Sequence, residues 1–321
     1  MARDVSVVGP LNIDLLMTGD GPPAWDAIPT WDGPARMEMT AAGSVGYTVR
    51  NLARLGLEVA VSSCVSDDAL GTFILESLRR DHVDVSPVQT VADSLSGIGV
   101  YMLLFGSRKR PLAYRLPTHP LWPLRYSRAE VENLLDARAL HNGGYLHFKE
   151  AWHGVLVELF QEARMRGLLT TLDPQFPLFA MQPPWMSALE DLLPHIDVLM
   201  CDESEARSIT AADDLQQAAR ILLDIGPKIV VIKQGSEGST IFQHTWQYHQ
   251  PAVALGELLD SIGAGDAYDA GFILGTVDNW PLERRALFAT VAAGFSVLGV
   301  GGSQTMPTRD RIEMEMIARS L

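Results

Sequence analysis

The stretch Asp260-Ser261-Ile262-Gly263-Ala264-Gly265-Asp266-Ala267-Tyr268-Asp269-Ala270-Gly271-Phe272 decides how the chain is read. Small residues at 263 to 265 leave the main chain bare, and the residues after them read as a helix. A helix start binds anions, because unsatisfied N–H groups and the positive end of the dipole converge there. Asp266 falls in the first helical turn, where a carboxylate is favoured and faces the same cleft as the anion. An acid beside a phosphate site suits a base that takes the proton from a hydroxyl attacking that phosphate. Taken alone, the segment also fits a tight turn whose Asp266 merely caps a helix, since short glycine motifs are common.

Composition bounds what such a site can serve. Over 321 residues, 47% are hydrophobic and 20% charged, the balance of a chain with a substantial core rather than a disordered one. One α/β domain over 1–321 is expected. With 25 Lys+Arg against 39 Asp+Glu the net charge is −14. That field repels nucleic acid and anionic membranes, so neither is an expected partner and any anionic ligand needs a local device. Cys64 and Cys201 form no metal or disulfide motif, which suits a reducing cytoplasm. The first 17 residues lack a signal-peptide pattern. The most apolar stretch, Leu287 to Gly302, is shorter than the ~20 residues a bilayer needs, and its first part reads as a buried helix.

Along the chain, β-branched runs alternate with helix-period segments, the order of a parallel sheet covered by helices. Strands are predicted at Val5–Val8, Val59–Val65, Tyr145–Phe148, Leu168–Leu172, Val198–Met200 and Ile229–Lys233, and helices at Thr72–Arg80 and Leu215–Leu223. Two segments interrupt the alternation, about 15–41 and 97–117, and a hairpin is predicted at Gly106–Arg110. They read either as a small β-layer that lids the site against water or as insertions without that role.

The segment DSIGAGDAYDAGF resembles the C-terminal signature of the ribokinase-like (PfkB) carbohydrate kinases, with Ser261 and Tyr268 as mild departures. The resemblance runs along nearly the whole chain. Val7 to Asp14 is similar to the family's first strand and its Asn-x-Asp, Gly43 and Leu52-Ala53-Arg54-Leu55-Gly56 to its N-terminal glycine signature, and Val65 to Gly71 to a family turn. Asp173-Pro174 resembles the end of a central strand, and Val231 to Gly238 the nucleotide-side Lys-x-Gly-x-x-Gly. The resemblance implies a ribokinase-like fold, a mostly parallel sheet flanked by helices with a small β-lid. It further implies ATP as donor, Mg²⁺, and a small molecule with a hydroxymethyl group as acceptor.

By position, the resemblance makes Asp266 the base and the N–H groups of Gly263, Ala264 and Gly265 the anion hole. Asn12, Asp14 and Gly43 would bind substrate, Lys233, Gly235 and Gly238 would lie along the nucleotide, and Asp202 with Glu205 would hold magnesium through water. Asp260, Ile262, Gly301 and Thr305 would hold a monovalent cation such as K⁺. Two positions depart from the family pattern. Tyr47 stands where an Asn would meet sugar hydroxyls, offering a stacking ring or else turning inward as core. Asp202 replaces an Asn, altering metal handling or else simply starting a helix.

Lys149 and Glu150 follow the predicted strand Tyr145–Phe148, so Glu150 is a further substrate candidate or part of an exposed loop. The eight histidines show no ligand spacing. Three functions therefore compete: a sugar or polyol kinase, a nucleoside kinase suggested by Tyr47 and by Tyr101, Phe105 and Tyr114, and a non-catalytic binding protein. A homodimer through a lid-strand edge is a further expectation.

Overall fold

A computed structural model describes residues 2–22, 24–104, 112–118 and 125–320. The chain opens with β1 (Arg3–Val8), β2 (Asn12–Thr18), β3 (Arg36–Ala42), α1 (Gly46–Arg54), β4 (Val59–Ser62) and β5 (Cys64–Ser66). It continues through α2 (Ala69–Arg80), β6 (Gln89–Val91), β7 (Ile98–Leu103), β8 (Leu112–Arg115), α3 (Arg128–Leu135), β9 (Ala137–Gly143), α4 (Val155–Met165), β10 (Leu169–Asp173) and β11 (Val198–Asp202). The remainder holds α5 (Glu203–Thr210), α6 (Leu215–Ile225), β12 (Ile229–Lys233), β13 (Ser239–Gln243), β14 (Trp246–Gln250), α7 (Ala264–Val277), α8 (Leu282–Ser296) and α9 (Arg309–Ala318).

Eight strands form the main sheet in the order β14-β13-β12-β11-β10-β9-β1-β4. The six from β12 to β4 are parallel, and the β13–β14 hairpin closes one edge antiparallel. The period of two along these strands explains two cores rather than one. Val5, Val7, Val198, Met200 and Val231 face the side covered by α1, α2, α7 and α8. Val8, Leu199, Cys201, Val230 and Ile232 face the side covered by α3, α4, α5 and α6. Among the described residues no helix is long and apolar enough to cross a membrane.

A second sheet, β3-β2-β7-β8, is built from the two segments that broke the sequence alternation. Its β2 leaves β1 after a short turn, so its strands begin beside the C-terminal edge of the main sheet. Position along that edge matters, because β1 pairs with β4 on one side and β9 on the other. Chain direction across the sheet reverses there, and open α/β sheets bind ligands at such switch points. The hairpin expected at Gly106–Arg110, together with Phe105, lies outside the described residues.

Two strand expectations are corrected. Tyr145–Phe148 is not a strand: the central strand is β9, Ala137–Gly143, and Tyr145–His147 is a 3₁₀ turn. The aromatic run looked more strand-like than Ala-Arg-Ala-Leu-His-Asn-Gly, yet Gly144 turns left-handed (φ +78°) and ends the ladder before it. Val59–Val65 splits at Ser63 into β4 of the main sheet and β5, which pairs with β6 in a separate ribbon.

Candidate active site

The N-terminal turn of α7 sits on a left-handed Gly263 (φ +72°). A Cβ at Gly263 would lie 2.7 Å from Gly302 Cα and 3.4 Å from Tyr47 Cγ, so only glycine lets this loop nest against its neighbours. The Ala264 N–H spends a long 3.3 Å bond on the Ser261 carbonyl, closing the turn. Helix geometry leaves the Gly265 N–H without an intrahelical partner. Asp260 braces the loop from behind: its Oδ1 accepts from Ile262 N–H at 3.1 Å and its Oδ2 from Gly301 N–H at 3.3 Å.

Asp266 follows in the first turn of α7. Thr48 of α1 donates its hydroxyl to Asp266 Oδ1 at 2.8 Å, which fixes the carboxylate without neutralising it. Burial dominates its surroundings and pushes its pKa up to about 7, against the lowering pull of Thr48. A carboxylate that gains its proton near neutrality is suited to general-base work at physiological pH.

Beside Thr48, Tyr47 of α1 reaches Asp14, which is buried on β2 and held by two donors: Asn12 Nδ2 and the Tyr47 hydroxyl, each at 2.9 Å. Burial raises the Asp14 pKa to about 6, opposed by these two bonds. Gly43 closes against the same group at φ +99°, and a Cβ there would lie 2.6–2.8 Å from Pro10 O, Asn12 Oδ1 and Asn12 N. The Tyr47 ring is 3% exposed and packs with Leu16, Ala42 and Ile262. It is therefore a wall and an Asp14 donor, with no face open for stacking.

Three further residues join the site that sequence reasoning missed. Ser44 Oγ meets His147 Nδ1 at 2.8 Å, and Gln175 Nε2 donates to the Ser44 carbonyl at 3.2 Å. Burial lowers the His147 pKa to about 4, so the ring is neutral at pH 7, and its buried Nε2 has no partner. Gln175 adopts φ +54°, a strained value for a non-glycine residue, directly after Asp173-Pro174 at the end of β10. The signal available in sequence was Asp173-Pro174, which marks the strand end that carries Gln175.

Other expected residues land elsewhere. Lys233 is held by two acids: its ammonium bonds Asp173 Oδ2 at 2.9 Å and both Asp269 oxygens at 3.1 Å. Gly235 opens the short turn between β12 and β13, and Gly238 packs against the Gln250 carbonyl of β14. Asp202 and Glu205 form a capping box on α5, with Asp202 Oδ1 accepting from Glu205 N–H at 2.7 Å and Glu205 Oε2 from Asp202 N–H at 2.8 Å. Asp202 is exposed at the end of β11, so its carboxylate is open to a hydrated magnesium ion. Thr305 gives its hydroxyl to the Ser296 carbonyl, and Asp260 accepts from the N–H groups of Ile262 and Gly301. Glu150 lies in an exposed 3₁₀ turn well beyond the end of β9, because the predicted strand that placed it at a sheet edge does not exist.

The geometry agrees with what the chain resembles as a whole. Residues 2–309 match the family described as pfkB family carbohydrate kinase. The 5-dehydro-2-deoxygluconokinase of Geobacillus kaustophilus is 27% identical over 291 residues, covering 87% of each chain. The 2-dehydro-3-deoxygluconokinase of Thermoproteus tenax is 29% identical over 290 residues, covering 86% of each. The structure of Arabidopsis thaliana ribokinase with ribose and ATP superposes with a TM-score of 0.80 at 22% identity, covering 98% of both chains. The chain belongs to the pfkB family of carbohydrate kinases.

Proposed function

We propose that this pfkB-family kinase transfers the γ-phosphoryl group of ATP to a primary alcohol of a small sugar or sugar-like acceptor, with Asp266 as the base. The observation that carries the reading is Asp266 in the first turn of α7 just after the left-handed Gly263, linked through the adjacent Tyr47 and Thr48 of α1 to Asp14. Asp266 takes the proton from the acceptor hydroxyl as its oxygen bonds to the γ-phosphorus and the bond to ADP breaks. Donors at the loop and helix start oppose the charge on the transferring group, an electrostatic term worth ~10²–10³ in rate per donor in comparable sites.

Asn12, Asp14 and the Ser44–His147–Gln175 cluster would orient the acceptor. Asp202 and Glu205 would hold magnesium through water, where the ion would offset charge on the phosphates. The small β3-β2-β7-β8 sheet would lid the cleft, and its edge strand β3 would be where a second copy pairs. Two buried free thiols, Cys64 and Cys201, suit a reducing cytoplasm. Tyr47 lends no support to a nucleoside acceptor, since its ring is packed away. The test is ADP release from Mg·ATP across a panel of sugars, sugar acids, polyols and nucleosides. A sugar or sugar acid that raises turnover supports the reading, a nucleoside alone redirects it, and ligand binding without turnover by any acceptor contradicts it.

A further inference from the structure

Lys233 ends β12 directly beneath the first turn of α7. Its side chain is 13% exposed, and the carboxylates that hold it, Asp173 and Asp269, are 7% and 1% exposed. A Cβ built on Gly265 would stand 3.5 Å from Nζ, so the ammonium lies under the loop that would face the transferring phosphate. Asp269 is three residues beyond Asp266, which puts clamp and base on one side of α7. One bond reaches β10 and two reach α7, so a single amine ties the helix start to two central strands.

We propose that Lys233, clamped by Asp173 and Asp269, is a positioning residue whose buried positive charge locks the first turn of α7 onto the sheet and keeps Asp266 ready to accept a proton at neutral pH. The inference rests on reading Asp266 as the base. Charge balance around the clamp supports it. Lys233 holds Asp173 ionised against its burial, while burial and the neighbouring Asp173 push the Asp269 pKa up against the pull of Lys233. Burial keeps His141 of β9 neutral, with a pKa near 4, and Cys201 of β11 as the thiol. Glu205 of α5 is raised to about 8 by burial, and Tyr47 of α1 stays a phenol. On Asp266 itself, Asp173 pushes the pKa up and Lys233 pulls it down. Removing the ammonium alone therefore leaves Asp173 to hold the proton on Asp266, while removing both charges restores the balance.

The experiment is kcat and KM against pH for wild type, Lys233→Met and the double variant Asp173→Asn/Lys233→Met, each checked for its thermal midpoint. Lys233→Met is expected to lower kcat at pH 7 by about ten- to a hundredfold and to move the acid limb upward by about one pH unit, with the KM for ATP changed less than about threefold. The double variant is expected to return the limb to within about half a unit of wild type. An unmoved limb in folded Lys233→Met, or a KM for ATP raised about tenfold with kcat intact, overturns the inference. Should Lys233→Met not fold, the double variant decides: a limb still displaced by about one unit overturns the charge balance. Failure of the underlying reading looks different, as wild type with no acid limb near pH 7.

Discussion

The two sides of the cleft are built in opposite ways. The side proposed to meet phosphate comes from one contiguous run, Gly263 to Asp269, which supplies loop, helix start, proposed base and one acid of the lysine clamp. The acceptor side is assembled from four separated pieces: Asn12 and Asp14, Gly43 to Thr48, His147, and Gln175. Chemistry that depends on the main chain of a helix start must be local in sequence, whereas a shaped pocket for hydroxyls needs walls from several directions. On the proposed function, the contiguous side would serve any phosphate transfer and the dispersed side would set acceptor identity.

That contrast predicts a gradient of effects. The largest should come from Asp266→Asn, which removes the base while keeping a Thr48 contact: kcat falls by ~10²–10⁴, with acceptor KM little changed. Gly43→Ala comes next. Its Cβ would collide with Pro10 O and the Asn12 amide at under 3 Å, so steady-state kinetics should show acceptor kcat/KM reduced about tenfold or more. If Gly43→Ala instead leaves the acceptor untouched and raises the KM for ATP, the division of the cleft into two sides is wrong.

Tyr47→Phe is subtler, because it deletes one donor to a buried carboxylate and leaves the ring packing in place. A hydrogen bond to a charged group contributes about 1.5–3 kcal/mol, so acceptor kcat/KM should fall about tenfold while turnover at saturation holds. Loss of kcat instead would join Tyr47 to the phosphate side, through its contact with Gly263. The smallest effect belongs to Asp202. Asp202→Asn keeps the N-cap and should leave the thermal midpoint within about a degree, while Asp202→Ala should destabilise by about 1 kcal/mol, measurable by calorimetry. A weakened magnesium requirement in either variant would show that the exposed carboxylate matters beyond the cap.

How much could be read in advance follows the same divide. The left-handed Gly263 and Asp266 in the first turn of α7 were legible because the pattern that builds them is contiguous in sequence. The two cores were legible too, since Val5, Val7 and Val8 alternate across a sheet buried on both faces. Tyr145–Phe148 misled because aromatic content favours a strand, while the true strand carries His141 and Asn142, polar residues buried at the heart of the sheet. The partners of Lys233 were hidden for a different reason. Its position in the glycine motif says nothing of them, since Asp173 lies sixty residues before it and Asp269 thirty-six after it, and only the fold brings the three side chains within about 3 Å. Gln175 was marked only by the preceding Asp173-Pro174, and the link of Ser44 to His147 and Gln175 arises only in the fold.

The central claim is that Asp266, held near neutrality by burial, is the base of the transfer. It is tested most directly by kcat for ADP release with an active acceptor, followed from pH 5 to pH 9 in wild type and Asp266→Asn. Because the folded carboxyl titrates near 7, well above a free aspartate, it is protonated and inactive as a base below that pH. Wild-type kcat should therefore rise with pH and level off above about 7, while the Asn variant should run at least ~10²-fold lower and show no such limb. Turnover by Asp266→Asn within about tenfold of wild type, with the same limb intact, would contradict the account.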